Sequence, residues 1–328
     1  MKISSQSDKQ GEVPMITTTN TKSAKIALLL PCLNEEPTLA KVIRDFRREI
    51  PQADIYVFDN GSTDRSVEIA RQEKAFVIHV PQRGKGNVVR KMFEAVEADI
   101  YVMVDSDDTY DSSRVWELIN PVLNEGIDMT VGSRVAEAKS AYRKFHRFGN
   151  ALIMNLINTL FRSSFTDICS GYRVMSRNFV KNIPLLRDGF EVETELTVYS
   201  LINGFSVREI PLPYGSRPEN SFSKLKTFSD GYKVVLTIVW LVRDTRPLLF
   251  FTLLSVALFF GLALPLNLTQ TTSSFWPLVL SFLSIAIFST GLVLNTINVK
   301  FSELQVLARR RSSSSTQGEL LLEVKDAA

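Results

Sequence analysis

Asp105 and Asp107, with Ser106 between them, stand directly after the apolar run Ile100-Tyr101-Val102-Met103-Val104. Two carboxylates one residue apart, where a buried strand surfaces, form an open cradle for a hard divalent cation. Mg2+ and Mn2+ prefer oxygen ligands, and Mg2+ is typically held by one or two carboxylates together with substrate phosphates. An ordinary surface loop can have the same composition. The pair gains meaning from what the chain places around it.

The elements that must position the pair alternate in period. Apolar runs at 26–30, 55–58, 76–80, 100–104 and 129–131 read as buried strands. Between them lie helical periods at 38–50, 87–97 and 115–123, the first with Leu39, Val42, Ile43 and Phe46 on one face. A further helix starts after the turn-rich Asp59-Asn60-Gly61-Ser62-Thr63-Asp64, capped by Ser62 or Thr63, with Val67, Ile69 and Ala70 inward. This alternation predicts an α/β fold, a mostly parallel sheet with helices on both faces. Ligands of such sheets bind beyond the carboxyl ends of the strands. Asn34, Glu35, Asp59, residues 83–86 and the Asp105–Asp107 pair all fall on that edge.

Each of these pieces has a narrower reading of its own. Pro31-Cys32-Leu33-Asn34-Glu35-Glu36 follows the first strand but lacks the glycines of a dinucleotide-binding turn. A pyrophosphate here must be neutralised by another charge, which a metal at Asp105 and Asp107 can supply. Gly84-Lys85-Gly86 lacks the spacing and Ser/Thr of a P-loop. It is either a bare turn or a place where Arg83 or Lys85 contacts nucleotide. Asp59 is either a solvated turn residue or an acceptor for a base or ribose.

Composition excludes several classes. With 38 basic and 35 acidic residues in 328, nothing global argues for nucleic acid. The two cysteines, Cys32 and Cys169, suit a reducing compartment, and the two histidines, His79 and His146, make a zinc site improbable. Residues 1–24 lack an apolar core segment and read as a disordered polar tail, with no signal peptide.

The C-terminal part is different. Residues 248–266 and 275–299 are uncharged and almost wholly apolar, each about the 20 residues a bilayer helix needs. Arg243 and Arg246 precede the first span, Lys300 and Arg309-Arg310-Arg311 follow the second, and the connector 267–274 carries no charge. The positive-inside rule therefore puts both chain ends in the cytoplasm. Residues 301–328 read as a flexible cytoplasmic tail. Residues 223–246 mix Lys224, Lys226 and Lys233 with Leu225, Phe228, Tyr232 and Trp240, as a juxtamembrane amphipathic segment or a docking helix would.

The succession Pro31-x-Leu33-Asn34-Glu35-Glu36, Asp59-Asn60-Gly61-Ser62-x-Asp64, Arg83-Gly84-Lys85-Gly86 and Asp105-x-Asp107 resembles the family-2 glycosyltransferases of the GT-A fold. The downstream motifs resemble the polyprenyl-phosphate branch, which includes dolichol-phosphate mannose synthase. They are Gly132-Ser133-Arg134, Asp167-x-x-Ser170-Gly171-Tyr172-Arg173, and Tyr214-x-x-Arg217 leading to Ser223-Lys224-Leu225. The resemblance covers roughly 25–246, with 25–222 as the catalytic domain, and trailing spans (here within 247–300) also occur in that branch.

The resemblance implies residue roles. Pro31, Leu33, Asn34, Glu35, Asp59 and Lys85 would hold the nucleotide sugar with Asp105 and Ser106. Asp105 and Asp107 would be the metal site, with Asp107 nearest the diphosphate. Arg134, Arg147 (or Arg143, where the alignment slips), Arg217 and Lys224 would face the acceptor phosphate. Asp167 would sit near the reaction centre, orienting an arginine or binding sugar hydroxyls. The chain departs from the pattern at Leu33, where Tyr is common, and at Thr109, where some relatives carry an amide. Glu193-Thr194-Glu195 reads as a solvated helix face, the other reading being a family carboxylate.

The reaction implied is inverting transfer of a hexose from a nucleotide-diphosphate sugar to a membrane polyprenyl phosphate, undecaprenyl or dolichyl, with Mg2+ or Mn2+. An acceptor phosphate is already anionic near neutral pH, so a strong general base is unnecessary. Transfer to a hydroxyl acceptor, a diacylglycerol or glycan, would need a carboxylate base such as Glu193 or Glu195. A non-catalytic nucleotide-sugar-binding membrane protein is the reading from another class. A homo-oligomer is left open, as are the sugar and the base.

Overall fold

The computed structural model describes residues 24–136, 163–185, 191–215, 242–269 and 275–326, with scattered positions between. The first strand, β1 (Ile26–Cys32), is apolar on both faces because both faces are covered. Leu28 and Leu30 pack against Leu39, Val42, Ile43 and Phe46 of α1 (Leu39–Glu49) and Val115, Leu118 and Ile119 of α4 (Val115–Asn124). Ala27 and Leu29, one residue out of phase, meet Val88, Val89 and Met92 of α3 (Lys85–Ala95), and Val192 and Leu196 of α6 (Val192–Ile202). The period of two along the strand thus divides the core into two layers. A buried Phe or Ile in such a layer contributes about 1.5–3 kcal/mol by leaving water.

β1 pairs in parallel with β2 (Asp54–Asp59) and β4 (Ile100–Met103), and β2 pairs in parallel with β3 (Phe76–His79). The order across the sheet is β3-β2-β1-β4-β6-β5-β7. Sequence reading anticipates β1 to β5 but neither of the last two strands. β6 (Arg173–Ser176) runs antiparallel to both β4 and β5 (Met129–Ala136), with Met103 opposite Arg173. Its start therefore lies at the edge where β4 ends. β7 (Val207–Tyr214) pairs in parallel with β5 at the sheet margin, where Pro211 and Pro213 are tolerated. Since β5 runs parallel to β4, Gly132-Ser133-Arg134 also leaves the core at that edge.

The second helix, α2 (Ser66–Gln72), is not capped by Ser62 or Thr63 as the sequence suggests. Its N-cap position, Arg65, makes no side-chain cap bond; the Asp64 carboxylate accepts from the Ser66 amide at 3.0 Å, while buried Ser66 and Ala70 face inward. Ser62 and Thr63 instead tie this turn to Asn34: the Asn34 amide donates to Ser62 Oγ at 3.0 Å and the Thr63 amide to Asn34 Oδ1 at 2.7 Å. A short α5 (Arg177–Asn182) follows β6, capped by the Ser176 hydroxyl.

Two apolar helices follow. α7 (Pro247–Leu258) passes through a π-helical turn (Phe259–Ala263) into α8 (Leu264–Thr269), and α9 runs over Phe275–Asp326. Gly291 lets them approach: a Cβ there would lie 2.7 Å from that of Phe251. Leu253, Phe282 and Ile285 are 61%, 71% and 62% exposed, which a helix pair inside a soluble core would not allow. Both stretches, Pro247–Leu268 and Phe275–Phe301, are long and apolar enough to cross a membrane. The flexible tail expected at 301–328 is instead helical as far as Asp326. The run Glu319-Leu320-Leu321-Leu322-Glu323 there consists of strong helix formers.

Candidate functional site

The carboxyl edge of the sheet gathers most of the expected residues that are described. Ser106 anchors the acidic turn: its Oγ donates to the Pro31 carbonyl at 2.8 Å, and Thr38 Oγ1 donates to the Ser106 carbonyl at 2.6 Å. Asp107 is 2% exposed, and its Oδ1 accepts from Thr109 Oγ1 at 2.5 Å and from the Thr109 amide at 3.3 Å. The hydroxyl of Thr109 thus orients the second carboxylate. The acidic turn is therefore tied to the β1 loop and buried at Asp107, unlike the open loop expected from sequence.

Asp105 meets two unlike neighbours. Lys85 Nζ lies 2.6 Å from its Oδ1, and Oδ2 faces Gly171, whose missing side chain leaves the room it occupies. The same ammonium lies 2.5 Å from Glu193 Oε1. Glu193 and Glu195 are therefore not a solvated helix face; they are 3% and 1% exposed, on a helix whose residues 192–198 are all buried. Burial opposes the charge on Lys85, but Asp105 and Glu193 outweigh it and hold the ammonium pKa above its ordinary value. Lys85 reaches inward because Gly84, at φ +124°, turns the chain into α3. A Cβ on Gly84 would lie 2.0 Å from the Asp188 carbonyl.

Asp59 is also buried, not a solvated turn residue. Its carboxylate accepts from the Ser62 amide at 2.9 Å, the Gly61 amide at 3.3 Å and His79 Nδ1 at 3.0 Å. Burial would raise its pKa, yet these donors outweigh it and hold the carboxyl below its ordinary value. The turn it braces stands beside Pro31, half-buried Leu33, exposed Asn34 and buried Glu35. Cys32, beneath them, is a buried thiol that burial pushes up to about 12, which makes it an unreactive packing residue.

On the other side of the acidic turn, Arg134 forms a fork with Asp167: Nε to Oδ2 at 2.6 Å and Nη2 to Oδ1 at 2.8 Å. Two of the five guanidinium N–H donors go to that carboxylate. Burial raises the Asp167 pKa, but Arg134 outweighs it and the carboxyl lies below its ordinary value. Glu209 of β7 pins the loop by accepting from the Thr166 and Asp167 amides at 2.8 and 2.6 Å. The Arg134 guanidinium lies 5.5 Å from the centre of the Tyr214 ring. Arg143, Arg147, Arg217 and Lys224 lie outside the described residues, so their expected place at the acceptor phosphate rests on sequence alone.

Sequence reasoning gives no role to Thr38, Tyr110 or Arg173. The Tyr110 hydroxyl accepts from the Gly171 amide at 2.9 Å, fixing that glycine against Asp105. Arg173 is fully buried and donates to the carbonyls of Ser170, Ile168 and Glu193 at 3.0, 2.8 and 2.9 Å. It joins the loop after Asp167 to the start of α6. Its place at the end of the motif Asp167-x-x-Ser170-Gly171-Tyr172-Arg173 is the sign of it in the sequence.

The donor set of Asp105 and Asp107 is all oxygen, which fits Mg2+ or Mn2+. Among the described residues no group of three or more His, Cys, Asp or Glu side chains forms a metal cluster. A bound cation would thus complete its shell from substrate or water.

Known proteins resemble this architecture. The profile described as "Glycosyl transferase family 2" matches residues 27–183. Glycosyltransferase AglJ of Haloferax volcanii is 33% identical over 228 residues, 69% of this chain and 75% of that protein. A dolichyl-phosphate hexose transferase of the same organism is 27% identical over 221 residues, covering 67% of this chain and 95% of that protein. Among solved structures, glucosyl-3-phosphoglycerate synthase from Mycobacterium tuberculosis, in complex with Mn2+, uridine diphosphate and glucosyl-3-phosphoglycerate, superposes with a TM-score of 0.56. It shares 24% identity, over 67% of this chain and 80% of that one. The fold is of the GT-A type expected from the sequence.

Proposed function

Because the chain belongs to glycosyl transferase family 2, we propose that it transfers a hexose from a nucleotide-diphosphate sugar to a membrane polyprenyl phosphate, with inversion. The observation that carries this reading is the pairing of two candidate carboxylates beside the acidic turn, Asp167 and Glu193, with cations. Asp167 is forked by Arg134 and Glu193 is held by Lys85, so neither is a ready general base. A hydroxyl acceptor needs such a base, whereas a phosphate acceptor does not. The two exposed apolar helices supply the membrane from which a lipid phosphate would arrive. The dolichyl-phosphate hexose transferase relative points the same way.

In this reading an oxygen of the acceptor phosphate attacks the anomeric carbon. The bond from that carbon to the diphosphate breaks, and the nucleoside diphosphate leaves with the electron pair. Asp105 and Asp107 would hold Mg2+ or Mn2+, which when bound would supply Lewis-acid stabilisation of the departing charge. The loops of Pro31, Leu33, Asn34, Glu35 and Asp59 hold the nucleoside. Arg134, oriented by Asp167, takes the acceptor phosphate with its remaining N–H donors, and Arg147, Arg217 and Lys224 join it in screening the two anions. The basic residues flanking the spans support an orientation with the catalytic domain and both chain ends in the cytoplasm.

The experiment is incubation of the purified protein in detergent with a panel of nucleotide sugars and with undecaprenyl or dolichyl phosphate. Mass spectrometry should find a polyprenyl-phosphate hexose. Product on a diacylglycerol or glycan hydroxyl, with none on the lipid phosphates, would overturn the acceptor assignment.

A further inference from the structure

We propose that Glu193 is a positioning residue for the cation site, one that neutralises Lys85 so that Asp105 keeps its charge for a divalent ion. The proposal rests on the reading of Asp105 and Asp107 as the cation and diphosphate site. One ammonium lies 2.6 Å from Asp105 and 2.5 Å from Glu193, joining the first turn of α3 to the first turn of α6. The trio therefore carries one net negative charge, and Asp107 adds another.

With an amide at position 193 the trio would be neutral. Lys85 would then compensate Asp105 completely, and its ammonium would oppose an arriving cation. A diphosphate is an anion, and the same ammonium would attract it. Glu193 thus sets the sign of the field on which the cation depends. Packing alone gives no reason for a carboxylate here. An amide or apolar side chain of similar volume would fill the space with less desolvation cost than a charge that is 3% exposed.

The backbone is built to keep this carboxylate in place. Arg173 Nη2 donates to the Glu193 carbonyl at 2.9 Å and to the Ile168 carbonyl at 2.8 Å, fixing the start of α6 against the loop that carries Asp167. Gly171 holds the opposite side of Asp105, since a Cβ there would lie 2.4 Å from Oδ2. Asp105 is confined between Gly171 and Lys85, and Glu193 is the second partner of that lysine.

The test uses the full-length protein in detergent. Mn2+ binding is followed by electron paramagnetic resonance with and without uridine diphosphate, and binding of uridine diphosphate and pyrophosphate is followed by calorimetry in chelator. For Glu193→Gln, Mn2+ affinity should fall about 10-fold, the order of one partly screened charge, while metal-free pyrophosphate binding holds or tightens. The double variant Lys85→Met with Glu193→Gln removes the uncompensated ammonium and should return Mn2+ affinity to within about 3-fold of the wild type. A merely structural role predicts that both ligands weaken together, that thermal stability drops, and that the double variant is no better than the single. That pattern would overturn the proposal, as would unchanged Mn2+ affinity in Glu193→Gln. If the wild type binds neither Mn2+ nor either diphosphate, the parent reading falls and takes the proposal with it. If it binds both and Glu193→Gln binds them alike, the proposal alone falls.

Discussion

A methyl group on Gly171 would lie 2.4 Å from Asp105 Oδ2 and 2.7 Å from its Cγ. The acidic turn and the strand that begins beside it are therefore fitted to one another at the one atom glycine omits. Gly171→Ala should push the Asp105 carboxylate off its position, because Lys85 holds the other oxygen and the Tyr110 hydroxyl holds the Gly171 amide. The expected cost is about 1–3 kcal/mol of stability, the range for overpacking a filled site. Hexose transfer should fall far more than stability, since a carboxylate displaced by about 1 Å costs on the order of 100-fold in rate. Thermal unfolding and initial rates on one preparation separate the two; equal, small losses would mean that the close contact carries no function.

Much of this arrangement is legible in the chain, and the illegible part has physical reasons. β1, β2 and β4 are apolar on both faces, and α1 shows a single apolar stripe, so period alone locates them. The carboxyl-edge rule then collects Glu35, Asp59, Lys85, Asp105 and Asp107 without coordinates. β6 is hidden because its four residues begin with an arginine, and β7 because Pro211 and Pro213 argue against a strand except at a sheet margin. Glu193 is misread for a related reason. Carboxylates in a first helical turn ordinarily face water, and only the antiparallel insertion of β6 brings α6 over Lys85.

Asp107→Ala should abolish transfer while leaving the fold intact. The carboxylate is buried, and Thr109, which donates to it twice, lies only two residues away on the same turn. A loss of at least about 100-fold is expected for a cation ligand that neutralises a leaving group. Circular dichroism should be unchanged. Full transfer by a folded Asp107→Ala protein would remove the metal from the mechanism.

The Arg134–Asp167 fork predicts a split between binding and folding. Arg134→Lys keeps the charge but loses the planar fork, so KM for the lipid phosphate should rise about 10-fold with a smaller change in the KM for the donor. Asp167→Asn should lower stability by about 1–2 kcal/mol by weakening a partly exposed pair. The sign of its pH dependence follows from the Asp167 carboxyl, which is held below its ordinary value. Its stabilisation is complete above the ordinary aspartate range and is lost as pH falls through the lowered native value. Wild type should therefore converge on Asp167→Asn in thermal midpoint as the medium is acidified. A gap that stayed constant down to acid unfolding would show that the fork is not coupled to folding.

The uncharged connector at 267–274 makes the orientation testable in intact cells. With arginines before the first span and lysine and arginines after the second, the connector should lie outside and the catalytic edge inside. Thr271→Cys should then be labelled by a membrane-impermeant maleimide added to whole cells. Cys169 should react only after permeabilisation, and buried Cys32 only after unfolding. The proposed substrates make the same demand: nucleotide sugars are soluble, and a lipid phosphate could reach Arg134 only if its headgroup lay in the leaflet beside the domain. Labelling of Thr271→Cys solely after permeabilisation would invert the topology, and with it the side of the membrane on which the hexose is transferred.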